Sequence, residues 1–132
     1  RVFFCDILSR KMYKGRHGFG VRQRESLSMR RRYTNRIPII IEPKGIDTPQ
    51  VDRRKYMTPE RLTFGELFHV VRKRLSLRSD QALFFFVENG TLLLQSHTVQ
   101  EIYERHRDED GFLYISYTLE NTFGTVPLVD LG

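Results

Sequence analysis

Two threonines, each followed three residues later by a glutamate, constrain this chain most: Thr63-Phe64-Gly65-Glu66 and Thr98-Val99-Gln100-Glu101. In each, the threonine hydroxyl can accept the amide three residues on while the glutamate reaches back to the threonine amide, so a helix is expected to open at both points. After the first box, Phe64, Leu67, Phe68, Val71 and Leu75 fall at i, i+3, i+4, i+7 and i+11, one apolar stripe that has to be buried. Arg72, Lys73 and Arg74 fill the last turn, where cations favour the helix dipole. The second box opens a shorter helix towards Arg105.

Short strands flank these helices. Arg36 to Glu42 is a β-branched run read as a buried strand, with Pro38 placing its start near an edge or bulge. Val51 to Met57 reads as a second strand whose basic residues face water, closed by Pro59. Ala82 to Val87 is a third, ended by the turn Glu88-Asn89-Gly90, and Phe112 to Leu119 alternates as a final, central strand. The order ββαβαβ predicts an α+β fold of the β-grasp type, a four-stranded mixed sheet with packed helices, with a ferredoxin-like arrangement as competitor. A length of 132 residues suits one such domain, and 39% apolar with 12% aromatic residues excludes disorder for the bulk. No apolar run is long enough to span a bilayer, so a soluble chain is expected. The single cysteine, Cys5, allows no intramolecular disulfide, and a reducing, cytosolic setting is the expectation.

Ahead of the strands, residues 1–36 carry 11 Lys/Arg against 2 Asp/Glu, a local +9 within a net charge of +6. Gly15, Gly18 and Gly20 punctuate a segment with no sustained period, read as a loosely held arm up to about residue 18. Residues 19–35 form a basic helical extension, with Val21 to Tyr33 as helix and Thr34-Asn35 as the closing turn. So basic a segment suits anionic partners, whether nucleic acid, a lipid headgroup or the acidic face of a protein, without choosing among them. Residues 36–124 are the compact domain, and the end of the chain lacks the periodicity of a structured element.

Catalytic and metal chemistry find no support. His17, His69, His97 and His106 show no i, i+4 pair, and Cys5 has no glycine turn or helix behind it to activate a thiolate. Gly15-Arg16-His17-Gly18-Phe19-Gly20 neither follows a convincing strand nor ends in Lys-Ser or Lys-Thr. Asp108-Glu109-Asp110 reads as a solvated turn. No enzyme, catalytic residue, metal site or cofactor is expected.

Particular stretches then become familiar: Tyr33-Thr34-Asn35-Arg36-Ile37-Pro38-Ile39-Ile40-Ile41-Glu42, Asp52-Arg53-Arg54-Lys55-Tyr56-Met57-Thr58-Pro59 and Ala82-Leu83-Phe84-Phe85-Phe86-Val87. With Asp108-Glu109-Asp110-Gly111-Phe112-Leu113-Tyr114-Ile115 and Asn121-Thr122-Phe123-Gly124, they resemble the autophagy-related ubiquitin-like modifiers, the family of GABARAP and the microtubule-associated protein light chains. The match runs from about Met12 to Gly124, with small length changes near Pro43 and Leu93. The resemblance implies a modifier cut by a cysteine protease after Phe123-Gly124, taken up by activating and conjugating enzymes, and joined through Gly124 to phosphatidylethanolamine on autophagosome membranes. Residues 125–132 would be the discarded tail. Glycine suits that place because it lacks a side chain to obstruct a narrow active site.

The resemblance also implies recognition of short aromatic-x-x-aliphatic peptides of cargo receptors by strand addition along Arg53 to Tyr56. By the family match, Glu25, Met29, Pro38, Ile40, Lys55, Met57 and Phe112 form the aromatic pocket. Tyr56, Thr58, Pro59, Leu62, Leu67, Val70 and Val71 form the aliphatic one, several of which also suit a helix core. Arg36, Arg53, Lys55 and Arg72 would draw acidic residues flanking the peptide. The alternative is a non-conjugated module whose basic helix binds tubulin or another polyanion; nucleic acid is not the expected partner. Three departures from the family stand out. Thr58 replaces an aliphatic residue, Leu92-Leu93-Leu94 replaces a proline-containing turn, and residues 1–11 have no counterpart. Within those, Phe4-Cys5-Asp6-Ile7 itself has the aromatic-x-x-aliphatic form, a hypothetical occupant of the groove.

Overall fold

The computed structural model of the chain describes residues 12–44, 48–88 and 90–121. Four helices, α1 (Tyr13–Arg16), α2 (Phe19–Arg32), α3 (Phe64–Leu75) and α4 (Val99–His106), accompany four strands, β1 (Arg36–Pro43), β2 (Lys55–Pro59), β3 (Gln81–Val87) and β4 (Leu113–Asn121). The sheet order is β2-β1-β4-β3, with β1 and β4 parallel at the centre and both outer strands antiparallel to their neighbours. That parallel centre makes the mixed sheet of a β-grasp fold and rules out the wholly antiparallel ferredoxin-like competitor.

The unbroken apolar run of β1 follows from its position. Ile37, Ile39 and Ile41 face α3 and α4 and join Phe64, Leu67, Val71, Phe85, Val99, Ile102, Leu113, Ile115 and Tyr117 in the main core. Ile40 faces the other way, into a smaller cluster with Tyr13, Phe112 and Tyr114, against which Met29 packs. A strand covered on both faces needs no polar alternation.

Both capping boxes are formed. Thr63 N–H donates to Glu66 Oε1 at 2.9 Å and Glu66 N–H to Thr63 Oγ1 at 3.2 Å, and Thr98 and Glu101 repeat this at 2.9 and 3.1 Å. Thr98→Ala should cost about 1 kcal/mol, read as a lower urea midpoint at unchanged slope.

Two expectations need correction. The second strand is Lys55–Pro59, not Val51 to Met57. Val51 is buried from a loop, its N–H donating to Tyr117 Oη at 3.0 Å. Pro59, expected to close the strand, lies within it. Ile41 N–H donates to Arg54 O at 2.8 Å, and ladder alternation from that pair turns Tyr56 and Thr58 backbone groups towards β1 and those of Lys55, Met57 and Pro59 outward. A proline at an outward position breaks no ladder bond. The looseness read for the segment before Phe19 does not extend to Tyr13, which is 5% exposed and packs edge-on to Phe112 with centroids 5.5 Å apart. Its N–H donates to the buried Glu42 carboxylate at 2.5 Å. One helical turn carries no period for a sequence pattern to reveal.

Candidate peptide-binding edge

β2 is an outer strand, so among the described residues no further strand pairs with the outward backbone groups of Lys55 and Met57. Side chains alternate across it. Lys55 and Met57 lie opposite Ile40 and Pro38 on the face carrying α1 and α2, while Tyr56 and Thr58 lie opposite Ile39 and Ile37 on the face carrying α3. An extended chain added to this edge would send successive side chains to opposite faces, each with its own apolar ground.

On the α2 face the structure brings the predicted aromatic set together. Lys55 Nζ bonds the Glu25 carboxylate, which also accepts the Tyr13 hydroxyl, and the ammonium lies 5.6 Å from the centre of the Tyr13 ring. Met29 and Met57 are half-buried on this face, whereas Pro38 is buried and Ile40 and Phe112 wholly so, and these three act as floor. Tyr13 is the member the sequence reading missed, and its only signal was an aromatic residue in an otherwise basic, glycine-punctuated stretch.

On the other face Val70 is 43% exposed and Leu62 half-buried, so these can meet a ligand, while Pro59 is exposed at the strand end on the Lys55 and Met57 side by the same alternation. Leu67 and Val71 are 1% and 0% exposed, and with Tyr56 and Thr58 they belong to the core beneath. Thr58 is buried within a weak bond's reach of Ile37 O, at 3.4 Å, leaving the departure from an aliphatic residue under the surface. Of the flanking cations, Arg36 is exposed and donates to Met57 O at 3.0 Å, on the edge itself. Arg53 is exposed beside the strand. Arg72 turns away, donating to Arg78 O at 3.0 Å. Phe123, Gly124 and the Phe4–Ile7 segment lie outside the described residues.

The α1–α2 layer is clamped by charge. Asp110, read from sequence as part of a solvated turn, is instead 0% exposed. Its carboxylate accepts from Arg22 Nη1 at 2.5 Å, Tyr114 Oη at 2.5 Å and Phe112 N–H at 2.8 Å. Only Glu109 of the three acids is exposed, because Lys14 Nζ bonds Asp108 Oδ1 at 2.7 Å. Burial pushes Glu25 and Asp108 up, but hydrogen bonds from Lys55 and Tyr13 to the first and from Lys14 to the second outweigh it, holding both below the ordinary carboxylate range. A depressed folded-state value stabilises above the unfolded value, and the contribution is lost as pH falls through the folded value. Acidification from about pH 6 to about pH 3 is therefore expected to loosen α1 and α2 before the sheet, seen as earlier amide exchange over residues 13–32.

Comparison with known proteins agrees with this architecture. The family model described as autophagy protein Atg8 ubiquitin like matches residues 21–124. Autophagy-related protein 8 of Candida albicans is 42% identical over 124 residues, covering 93% of this chain and 91% of that protein. Autophagy-related protein 8A of Oryza sativa subsp. indica is 44% identical over 119 residues, covering 89% and 99%. The crystal structure of Trypanosoma brucei ATG8 superposes with a TM-score of 0.77 at 42% identity, covering 85% of this chain and 97% of that one. A family model over residues 21–124, relatives 42–44% identical over 89–93% of the chain and a shared fold make this chain a member of the Atg8 family of autophagy-related ubiquitin-like proteins, a family of modifiers rather than enzymes.

Proposed function

We propose that this protein is conjugated through Gly124 to phosphatidylethanolamine and, from the autophagosome membrane, recruits cargo receptors carrying aromatic-x-x-aliphatic peptides. One observation supports the recruiting half most strongly: among the described residues β2 is an unpaired outer edge whose side chains alternate between two differently built apolar faces, with Lys55 and Arg36 beside it. Strand addition there uses backbone groups for affinity and the two faces for selectivity, at micromolar strength, roughly −8 kcal/mol. Conjugation rests on the family and on Phe123-Gly124, with no helix among the described residues long and apolar enough to cross a membrane. A lipid attached at Gly124 would supply an anchor that the helices do not.

The test is intact mass and membrane partitioning of the wild type and Gly124→Ala in an autophagy-competent extract with phosphatidylethanolamine vesicles. Loss of residues 125–132 followed by a lipid adduct in the wild type alone is expected. An unmodified wild type, in an extract that processes a control modifier, would sink the conjugation reading. The second reading is favoured by exposed Arg24, Arg30, Arg31 and Arg32 on α2, a surface suited to tubulin's acidic face or another polyanion. Polyanion binding with steep salt dependence and no requirement for Gly124 would favour it.

A further inference from the structure

Away from the β2 edge, a cleft of about 390 Å³ separates the C-terminal half of α2 from the end of α4. Its fixed wall is the Tyr103 ring, 6% exposed and anchored by a 2.7 Å bond from its hydroxyl to Gly111 O. Two guanidiniums lie over that one ring, Arg30 at 4.9 Å and Arg107 at 5.8 Å from its centre. Both arginines are exposed, and among the described residues neither has a carboxylate within 4.0 Å. Lys14, Arg22, Arg54 and Lys55 each have one. Glu109, exposed in the same cleft, is likewise without an ion pair among the described residues.

Glu109 and Asp110 also line the cleft, but with no carboxylate among the described residues within ion-pair distance of either arginine, holding two like charges against one ring is a cost that a bound dianion would relieve. A guanidinium drawn to an aromatic face by cation–π attraction keeps its N–H edge available for paired hydrogen bonds to oxygen. We propose that Arg30, Tyr103 and Arg107 form a recognition site for a phosphorylated serine or threonine side chain of a protein partner, with Glu109 meeting a basic residue beside it. A phosphomonoester carries about −1.5 to −2 charges and three acceptor oxygens, matching two guanidiniums better than one carboxylate does. A bilayer fits less well, since a continuous anionic surface would be pressed against Glu109, whereas a peptide presents one phosphate and one cation separately.

The probe is a short blocked peptide with one phosphoserine followed by lysine, titrated into the full chain and followed by NMR. Shifts centred on Arg30, Tyr103, Arg107 and Glu109 are expected, with affinity at least about tenfold above the unphosphorylated peptide. The Arg30→Ala/Arg107→Ala double variant should lose that preference, while Arg31→Ala/Arg32→Ala, on the same basic helix, keeps it. Arg30→Lys/Arg107→Lys keeps the charge without the planar fork and should retain only part of it, which serves if the alanine pair proves unstable. Equal binding of the two peptides, or equal loss in both alanine pairs, would overturn the site as a diffuse basic surface. So would phosphatidylserine vesicles binding through Arg30 and Arg107 while the phosphopeptide does not.

Discussion

Asp110→Ala is expected to destabilise the protein by about 3–5 kcal/mol, the cost of removing one partner from a buried charge pair. The carboxylate is fully buried and its loss abandons three donors at once: Arg22, whose side chain is 11% exposed, the Tyr114 hydroxyl and the Phe112 amide. Burial, reinforced by the bond to Asp110, pushes the Tyr114 hydroxyl far above its ordinary range, so it stands as a neutral donor to the carboxylate. At roughly 3–5 °C per kcal/mol for a domain of this size, the melting midpoint should fall by roughly 10–20 °C. Because Arg22 lies on α2, amide exchange over Phe19–Arg32 should rise more than that in β1 and β4. Asp110→Asn, which can still accept from two donors, should lie between. A fall of less than about 1 kcal/mol for the alanine variant would mean that α2 is held by its apolar contacts alone.

The neighbouring Gly111 belongs to the same clamp. Its φ of +95° is a conformation that side chains resist, and a Cβ there would run into Ser26 Oγ, which bonds Asp110 O. Gly111→Ala combines backbone strain with a clash against α2, and should cost about 1–3 kcal/mol by thermal melt. Gly90, also at positive φ with open space around it, should tolerate alanine better.

These residues mark where sequence and structure part. The helices on Thr63 and Thr98 were legible because a capping box and a 3.6-residue stripe are local, β1 because a doubly covered strand is apolar throughout, and β4 because its residues alternate. Asp108-Glu109-Asp110 was not, because an acidic triplet looks the same whether it faces water or three donors from distant elements; Arg22 lies 88 residues away in sequence. The two pockets were named only through family resemblance. Periodicity could not have divided them into an accessible rim of Val70, Pro59 and Met57 and a buried floor of Ile40, Phe112, Leu67 and Val71, since burial of Ile40 and Phe112 depends on where Tyr13 and α2 settle and that of Leu67 and Val71 on how α3 meets the sheet. The slip at Val51 has the same origin, an apolar residue buried from a loop imitating the start of a strand.

Met57→Pro is expected to weaken binding of an aromatic-x-x-aliphatic peptide by at least about tenfold while leaving the fold intact. Alternation from the Ile41–Arg54 bond turns the Met57 amide to the open edge, so proline removes a donor that only an added strand would use. The next outward position is already Pro59, which shows that β2 accepts the ring at this parity. Met57→Ala is the companion: it trims the aromatic-side rim but keeps the amide, and should weaken binding less than proline does. Tyr56→Pro, one residue over, strikes an amide that points at β1 and a side chain in the core, and should unfold the edge instead. If ligands docked by their side chains alone, Met57→Pro and Met57→Ala would weaken binding equally, and strand addition at β2 would be wrong. Calorimetric titration of the three variants beside the wild type, each first checked by circular dichroism, separates backbone pairing from pocket filling.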